Sequence, residues 1–104
     1  MQETELKGKT ITEMCEICHG IAREKGFWDQ DRNIGEALML VVTEIGEAME
    51  GYRQEDHDNF REEIADTFIR LFDLCGGLKI DIEAEIAKKS IKNLSRPYKH
   101  GKIC

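Results

Sequence analysis

The amino-acid sequence predicts an all-α fold, a bundle of four to five helices that associates with further copies through helix faces. Three observations lead to this prediction. Apolar residues recur at intervals of three and four in four separate segments, which is the period of an amphipathic helix. Residues that cap helices stand at the start of these segments, and glycine or proline follows them. No segment shows the alternating apolar and polar pattern of a half-buried strand.

The first half of the chain contains a lead-in and two of these helices. Residues 1–9 are polar and precede a capping box formed by Thr10 and Glu13. The first helix follows and ends at Gly26, and a connector that contains the single tryptophan, Trp28, leads to the next helix. Asn33 is the expected cap of that second helix. We therefore expect residues 10–104 to form one helical domain behind a short N-terminal lead-in.

The second half of the chain contains the other two helices and a basic tail. Asp58 is a suitable cap for the third helix, and Gly76 and Gly77 are expected to end it. The apolar residues of this helix cover more of its surface than one neighbouring helix would bury, which favours a subunit interface. Asp81 can cap the fourth helix, and Pro97 stops it before the basic C-terminal tail.

Length and charge restrict the class of protein. The chain has 104 residues, enough for one modest core, and oligomerisation is a natural supplement to such a core. Its formal net charge of −6 argues against nucleic-acid binding and against attachment to an anionic membrane. The acidic N-terminus is unlike a secretion signal, and no apolar run is long enough to span a bilayer. We therefore expect a cytoplasmic protein without nucleic-acid or membrane partners.

Four cysteines require an interpretation. Cys15 and Cys18 have the spacing of a metal or redox motif, but they lie within a helical pattern, and Cys75 and Cys104 are isolated. Reduced structural thiols are the favoured interpretation for a cytosolic chain, with zinc or redox chemistry as the alternative.

Two acidic pairs carry the strongest functional signal. Glu44 and Glu47 lie three residues apart in one helix, and Glu63 and Asp66 repeat this spacing in the next. Both pairs are equally far along the chain from the turn near residue 55. An antiparallel hairpin would therefore bring all four carboxylates to the same level. Such a set of oxygen ligands suits Mg²⁺, with Mn²⁺ as the alternative ion.

A set of basic and amide residues follows in the fourth helix. Lys89, Asn93 and Arg96 share a helical face, and the tail adds Lys99 and Lys102. Together with a carboxylate-bound metal, these residues suit a polyphosphate substrate. An ordinary helix C-terminus, in which cations complement the helix dipole, is the alternative interpretation.

With these residues in view, the sequence resembles the all-α nucleoside triphosphate pyrophosphohydrolases of the MazG-like superfamily. That family carries E-x-x-E on one helix and E-x-x-D on the next, matched here by Glu44, Glu47, Glu63 and Asp66. Its later K-x-x-x-N-x-x-R element is matched by the following residues: Lys89, Asn93 and Arg96. The resemblance extends over residues 10 to 102 and includes His19, the segment before the second helix, and the tail.

The resemblance implies a Mg²⁺-dependent enzyme that hydrolyses a nucleoside triphosphate to a monophosphate and pyrophosphate, in nucleotide-pool housekeeping. It implies a homodimer or homotetramer with active sites near the subunit contacts. The four acids would bind the metal and act in catalysis, whereas the K-x-x-x-N-x-x-R residues would contact phosphates or ribose. The same resemblance makes Lys99 and Lys102 weaker candidates for contact with substrate. It also makes Trp28 and His19 candidates for the base pocket. On sequence alone, the favoured interpretation of Trp28 is an apolar plug that docks the connector on the core, with a stacking wall for a planar ligand as the alternative.

Two further interpretations stay open. One is a related phosphoanhydride hydrolase, such as phosphoribosyl-ATP pyrophosphohydrolase. The other is a non-catalytic helical interaction module, because a single Glu-x-x-Glu pair is common on solvated helix faces. The intact acidic pairs favour an enzyme.

Overall fold

The computed structural model describes residues 1–101, with side chains up to Lys99. Over this range the protein is all-helical, which confirms the all-α prediction, and its last element is a 3₁₀-helix at Tyr98–Gly101. The five α-helices are α1 (Glu3–Leu6), α2 (Ile11–Glu24), α3 (Ile34–Arg53), α4 (His57–Leu78) and α5 (Ile82–Leu94). The lead-in thus contains the short helix α1, and the four longer helices match the four periodic segments of the sequence.

Three of the predicted N-caps are confirmed. The side chains of Thr10, Asn33 and Asp81 each accept a hydrogen bond from the backbone N–H three residues later. At the start of α2, Glu13 completes the capping box by accepting a hydrogen bond of 2.9 Å from the backbone N–H of Thr10. These bonds satisfy N–H groups that the first turn of a helix leaves without partners, so they fix where each helix begins.

The predicted cap of α4 is wrong by two residues. Asp56, and not Asp58, caps this helix by accepting a hydrogen bond of 3.1 Å from the backbone N–H of Asn59. The turn is tighter than the sequence suggested, because Glu55 adopts the left-handed conformation at φ +57 and reverses the chain at once.

The predicted end of α4 is also wrong. The helix continues through Gly76 and Gly77 to Leu78, and Lys79 ends it in the left-handed conformation. A Cβ atom at Gly76 would lie 2.7 Å from the Cβ of His19 and 2.8 Å from the backbone oxygen of Cys15. Glycine is therefore present here because α2 approaches the backbone of α4 closely, not because the helix terminates.

The helices pack as a hairpin with two additions. The α3–α4 hairpin has the most extensive contact, and α2 packs across α4. Helix α5 contacts α2, where the backbone N–H of Thr12 donates to Glu83 at 3.3 Å. The buried apolar core is made of small and medium side chains at these contacts: Cys15, Cys18, Ala37, Val41, Ala48, Leu74 and Cys75.

The three core cysteines are free thiols. Burial raises the pKa of Cys15, Cys18 and Cys75, which keeps these side chains protonated and unreactive. This environment favours the structural interpretation of the thiols, and Cys104 lies outside the described residues.

A large apolar surface remains uncovered on the hairpin. We define the hairpin face by eight apolar residues of α3 and α4, each more than a third exposed. They are Leu38, Met39, Val42, Ile45, Met49, Ile64, Phe68 and Ile69. Gly46 lies among the α3 members, and a Cβ atom added to it would meet nothing within 4 Å. In the described residues these side chains stay exposed, although they are as apolar as the core.

Candidate active site

The α3–α4 hairpin brings three acidic side chains together. One carboxylate oxygen each from Glu44 on α3 and from Glu63 and Asp66 on α4 lie within 4.8 Å of one another. Glu44 is buried, and the other two are half-buried. The predicted convergence of the acids is confirmed for these three residues, because equal rise along two antiparallel helices aligns positions equally far from the turn.

Glu47 is the exposed fourth member of the group, one helical turn beyond Glu44. It lies close enough to Glu63 for a hydrogen bond between the two side chains. We refer to Glu44, Glu47, Glu63 and Asp66 as the acid cluster.

Crowding of the carboxylates changes their protonation. The pKa of Glu63 rises from 4.5 to about 7, chiefly because its carboxyl group donates a hydrogen bond to Glu44. Loss of hydration and the neighbouring charge of Glu47 act in the same direction. The pKa of Glu44 falls below its ordinary value, first because it accepts the bond from Glu63 and then through its pairing with Arg70. Near neutral pH, a proton is thus held between two carboxylates.

One oxygen of the cluster has no partner. Oε2 of Glu63 is buried, and no group in the described part of the chain forms a hydrogen bond with it. A buried carboxylate oxygen without a partner is unfavourable, and a cation would satisfy it. The donor set consists of carboxylate oxygens, which Mg²⁺ and Mn²⁺ prefer, so these residues fit a divalent ion of this type.

Arg70 is a site residue to which the sequence analysis assigned no role. It follows Asp66 by one turn of α4, and its Nε donates to Oε1 of Glu44 at 3.0 Å. The spacing of four residues from Asp66 was a usable signal, because it puts the guanidinium group on the same helical face as the acids.

A cavity of about 420 Å³ adjoins the acid cluster. Glu44, Asp66 and Arg70 of the hairpin line it, as do three further charged residues, Lys25, Arg32 and Asp73, and the remaining lining residues are apolar. Its volume and lining are those of a small-molecule pocket that fixes one end of a ligand through polar groups. The apolar wall comes from α2, the connector and α4, and includes Met14, Ile17, Ile21, Phe27 and Ile69.

A polar network centred on Asp73 forms another part of the cavity wall. Oδ1 of Asp73 accepts a hydrogen bond from Nε1 of Trp28 at 2.8 Å and lies 3.0 Å from Nδ1 of His19. Oδ2 accepts a bond of 2.8 Å from Arg32, whose guanidinium lies 5.0 Å from the centre of the Trp28 ring. The sequence interpretation did not single out Asp73. Its signal was its isolation as the one charged residue of an otherwise apolar stretch, 71–78.

This network defines the positions of Trp28 and His19. The Trp28 ring lies against Gly77, where a side chain would clash with it, and meets the ring of His19 edge to face at 5.0 Å. Trp28 therefore docks the connector on α4, as the plug interpretation expects. It also lines a separate surface recess with Gly20 and Arg23. Contact of Trp28 or His19 with a nucleotide base stays a prediction.

The predicted phosphate-contacting residues lie elsewhere in the chain. Lys89 and Asn93 are exposed on α5, and Arg96 and Lys99 are exposed beyond its end at Leu94. In residues 1–99, none of these side chains forms a hydrogen bond or ion pair with the acid cluster. Lys102 lies outside the described residues. Contact of these residues with substrate stays a prediction.

Comparison with known proteins gives no match to a family model, a curated protein or a solved structure. Across residues 1–101, none of the helices combines the length and apolar character that crossing a membrane requires. Function is therefore inferred from the acid cluster and the groups around it.

Proposed function

We propose that this protein is a Mg²⁺-dependent nucleoside triphosphate pyrophosphohydrolase of the MazG-like type, active in nucleotide-pool housekeeping. Water attacks the α-phosphorus, the bond from that phosphorus to the bridging oxygen breaks, and a nucleoside monophosphate, pyrophosphate and a proton are released. One observation carries the proposal: three carboxylates converge, Glu63 among them has a buried oxygen without a partner in the described residues, and the other two line a mostly apolar cavity.

The acid cluster is the proposed metal site. Glu44, Glu63 and Asp66 would hold the ion, and Glu47 lies near enough to join them. A bound Mg²⁺, or Mn²⁺ in its place, neutralises charge on phosphate oxygens and stabilises the charge that develops during hydrolysis. A carboxylate of the cluster also orients the attacking water and accepts its proton.

The cavity is the proposed site of the nucleoside. Its apolar lining can cover the faces of a base, and Glu44 and Asp66 of the proposed metal site also line it. A nucleotide in this cavity would place its base against apolar residues such as Phe27 and its phosphates at the metal ion held by the acid cluster.

We further propose a homodimer or homotetramer assembled through the hairpin face. Phe68 on α4 and Val42 on α3 are each 53% exposed, and Gly46 offers open space where another helix can approach. The cations of α5 lie away from the acid cluster of their own chain. In the assembly, a second copy would present Lys89, Asn93 and Arg96 to that cluster.

Pyrophosphate release tests the proposal. A panel of ribo- and deoxyribonucleoside triphosphates with Mg²⁺ should contain at least one substrate, and Asp66→Asn or Glu47→Gln should lower kcat by about 100-fold or more. Glu50→Gln is the matched control, because Glu50 is an exposed acid of α3 bonded only to Gln54 and should leave the rate unchanged.

The panel also separates the competing interpretations. Phosphoribosyl-ATP is added to the panel, and pyrophosphate release from this compound alone would identify a related phosphoanhydride hydrolase. Absence of pyrophosphate with every compound would favour the non-catalytic interaction module. Release that survives both substitutions would show that the reaction occurs at a site other than the acid cluster.

A further inference from the structure

Arg70 occupies the boundary between the acid cluster and the adjoining cavity. It lies one turn after Asp66 on α4, reaches across the hairpin to Glu44, and lines the cavity wall. Its side chain is 32% exposed, so the guanidinium group is in contact with the cavity space and not sealed inside the bundle.

The hydrogen bonds of Arg70 leave most of its guanidinium group available. Nε donates to Oε1 of Glu44, whereas in residues 1–99 neither terminal nitrogen has a hydrogen-bond partner. The other arginine of the cavity differs, because Arg32 donates through Nη1 to Asp73 and covers the ring of Trp28. Two parallel N–H groups on a planar guanidinium match two oxygens of a phosphoryl group.

The position of Arg70 favours contact with the first phosphate of the nucleotide. If the base lies in the apolar part of the cavity and the phosphates lie at the acids, the first phosphate passes the boundary where Arg70 stands. The ion pair with Glu44 holds the guanidinium there, so little side-chain freedom is lost on binding.

We propose that the terminal nitrogens of Arg70 contact the α-phosphoryl group of the nucleotide, which makes Arg70 a catalytic residue of the reaction. This inference rests on the proposed function. Water adds to the α-phosphorus as the bond to the bridging oxygen breaks, and negative charge develops on the oxygens that Arg70 contacts. Stabilisation of this charge lowers the barrier more than it strengthens substrate binding.

Binding without turnover provides the first test. Isothermal titration in Mg²⁺ compares Arg70→Gln with the wild-type chain for four ligands: a nucleoside, its monophosphate, its α,β-methylene triphosphate and inorganic pyrophosphate. We expect the affinity for the monophosphate and the methylene analogue to fall by about 10- to 100-fold. The affinities for the nucleoside and pyrophosphate should not change.

Two further variants separate a phosphate contact from a structural role. Arg61→Gln is the matched control, since Arg61 is an exposed arginine of α4 that pairs with Asp58 at the surface. Arg70→Lys retains a cation next to Glu44 and so protects the fold, but it loses the planar pair of donors. Arg70→Lys should therefore fold normally and still bind the monophosphate more weakly than the wild-type chain.

Turnover completes the test. Arg70→Gln should lower kcat by about 100- to 1,000-fold with a smaller change in KM, and added guanidinium should restore part of the rate. Unchanged monophosphate affinity in both Arg70 variants, or a loss confined to pyrophosphate, would overturn the inference while the proposed function stands. Absence of both nucleotide binding and turnover in the wild-type chain would overturn the two together.

Discussion

Glu63 shows how a single side chain makes the site depend on pH. Its carboxyl group has a pKa of about 7 in the folded chain and about 4.5 when unfolded, so the folded state binds the extra proton. The stability that this proton contributes is fully present below pH 4.5 and is lost as the pH rises to 7. Glu44 acts in the opposite sense at lower pH, because its folded pKa is lowered.

We therefore expect the metal-free protein to unfold at a lower urea concentration at pH 8 than at pH 5. Glu63→Gln should flatten this difference, because a neutral amide carries no titrating proton. Saturating Mg²⁺ should raise the urea midpoint at pH 8 more than at pH 5, since the ion competes with the proton for the same oxygens. A midpoint that is equally pH-dependent in Glu63→Gln would refute the assignment of this titration to Glu63.

Asp73 is a residue on which the connector and two helices converge. Asp73 is 5% exposed, and its carboxylate oxygens lie within hydrogen-bond distance of His19, Trp28 and Arg32. Asp73→Ala should lower the free energy of unfolding by about 3–5 kcal/mol, because it leaves the half-buried Arg32 without its partner.

The comparison for this prediction is Asp58→Ala. The Asp58 side chain is 95% exposed and pairs with Arg61 at the surface, so its removal should lower the free energy of unfolding by less than about 1 kcal/mol. Urea denaturation at one pH measures both changes. Equal losses in the two variants would mean that the Asp73 network does not stabilise the fold.

At the scale of the helices, Gly76 of α4 shows how closely α2 packs against this helix. Gly76→Ala gains helix propensity of about 1 kcal/mol but places a methyl group against the backbone oxygen of Cys15. Overpacking of this kind lowers stability by about 1–3 kcal/mol, and the contacted atom is backbone, which cannot move aside. We therefore expect a net loss of thermal stability.

Gly20→Ala is the control for Gly76→Ala. Gly20 lies inside α2, and a Cβ atom there would meet nothing within 4 Å, so the substitution should raise the free energy of unfolding by about 0.5–1 kcal/mol. Opposite shifts in melting temperature are the expected result. A rise in both variants would show that α2 and α4 do not approach as closely as the structure places them.

Some features of the fold and of the site were predictable from the sequence, and others were not. The caps at Thr10, Asn33 and Asp81 were predictable because each depends on a bond to a residue three positions away. The alignment of the acids was predictable because it requires only a turn and equal rise along two helices. The continuation of α4 through Gly76 was not predictable from the sequence, since it depends on a helix more than fifty residues earlier in the chain. The same holds for Asp73, whose partners come from α2 and the connector.

For the whole molecule, the uncovered hairpin face predicts self-association. Phe68→Glu places a charge on this face and should convert the proposed dimer or tetramer to a monomer at micromolar concentration. Ile80→Glu is the control, because Ile80 is similarly apolar and 42% exposed but lies in the α4–α5 connector. Light scattering after size-exclusion chromatography measures the mass of each variant. A wild-type chain that is already monomeric would contradict the prediction.

Self-association and catalysis are linked if α5 of one copy serves the acid cluster of another. Asp66→Asn and Lys89→Ala should each lose most activity, because one removes an acid and the other a cation of the same composite site. In a dimer that contains one copy of each variant, one of the two sites unites intact acids with intact cations. Random exchange of subunits should then restore roughly a quarter of the wild-type rate in an equimolar mixture.

The control mixture pairs Asp66→Asn with the double variant Asp66→Asn, Lys89→Ala, in which no site has intact acids, and its rate should stay at that of the single variants. Subunit exchange can be checked independently by mixing chains that carry different affinity tags. Exchange without recovered activity would show that Lys89 does not act across the interface. The phosphate contacts would then have to come from the chain that supplies the acids, where Arg70 already borders the acid cluster.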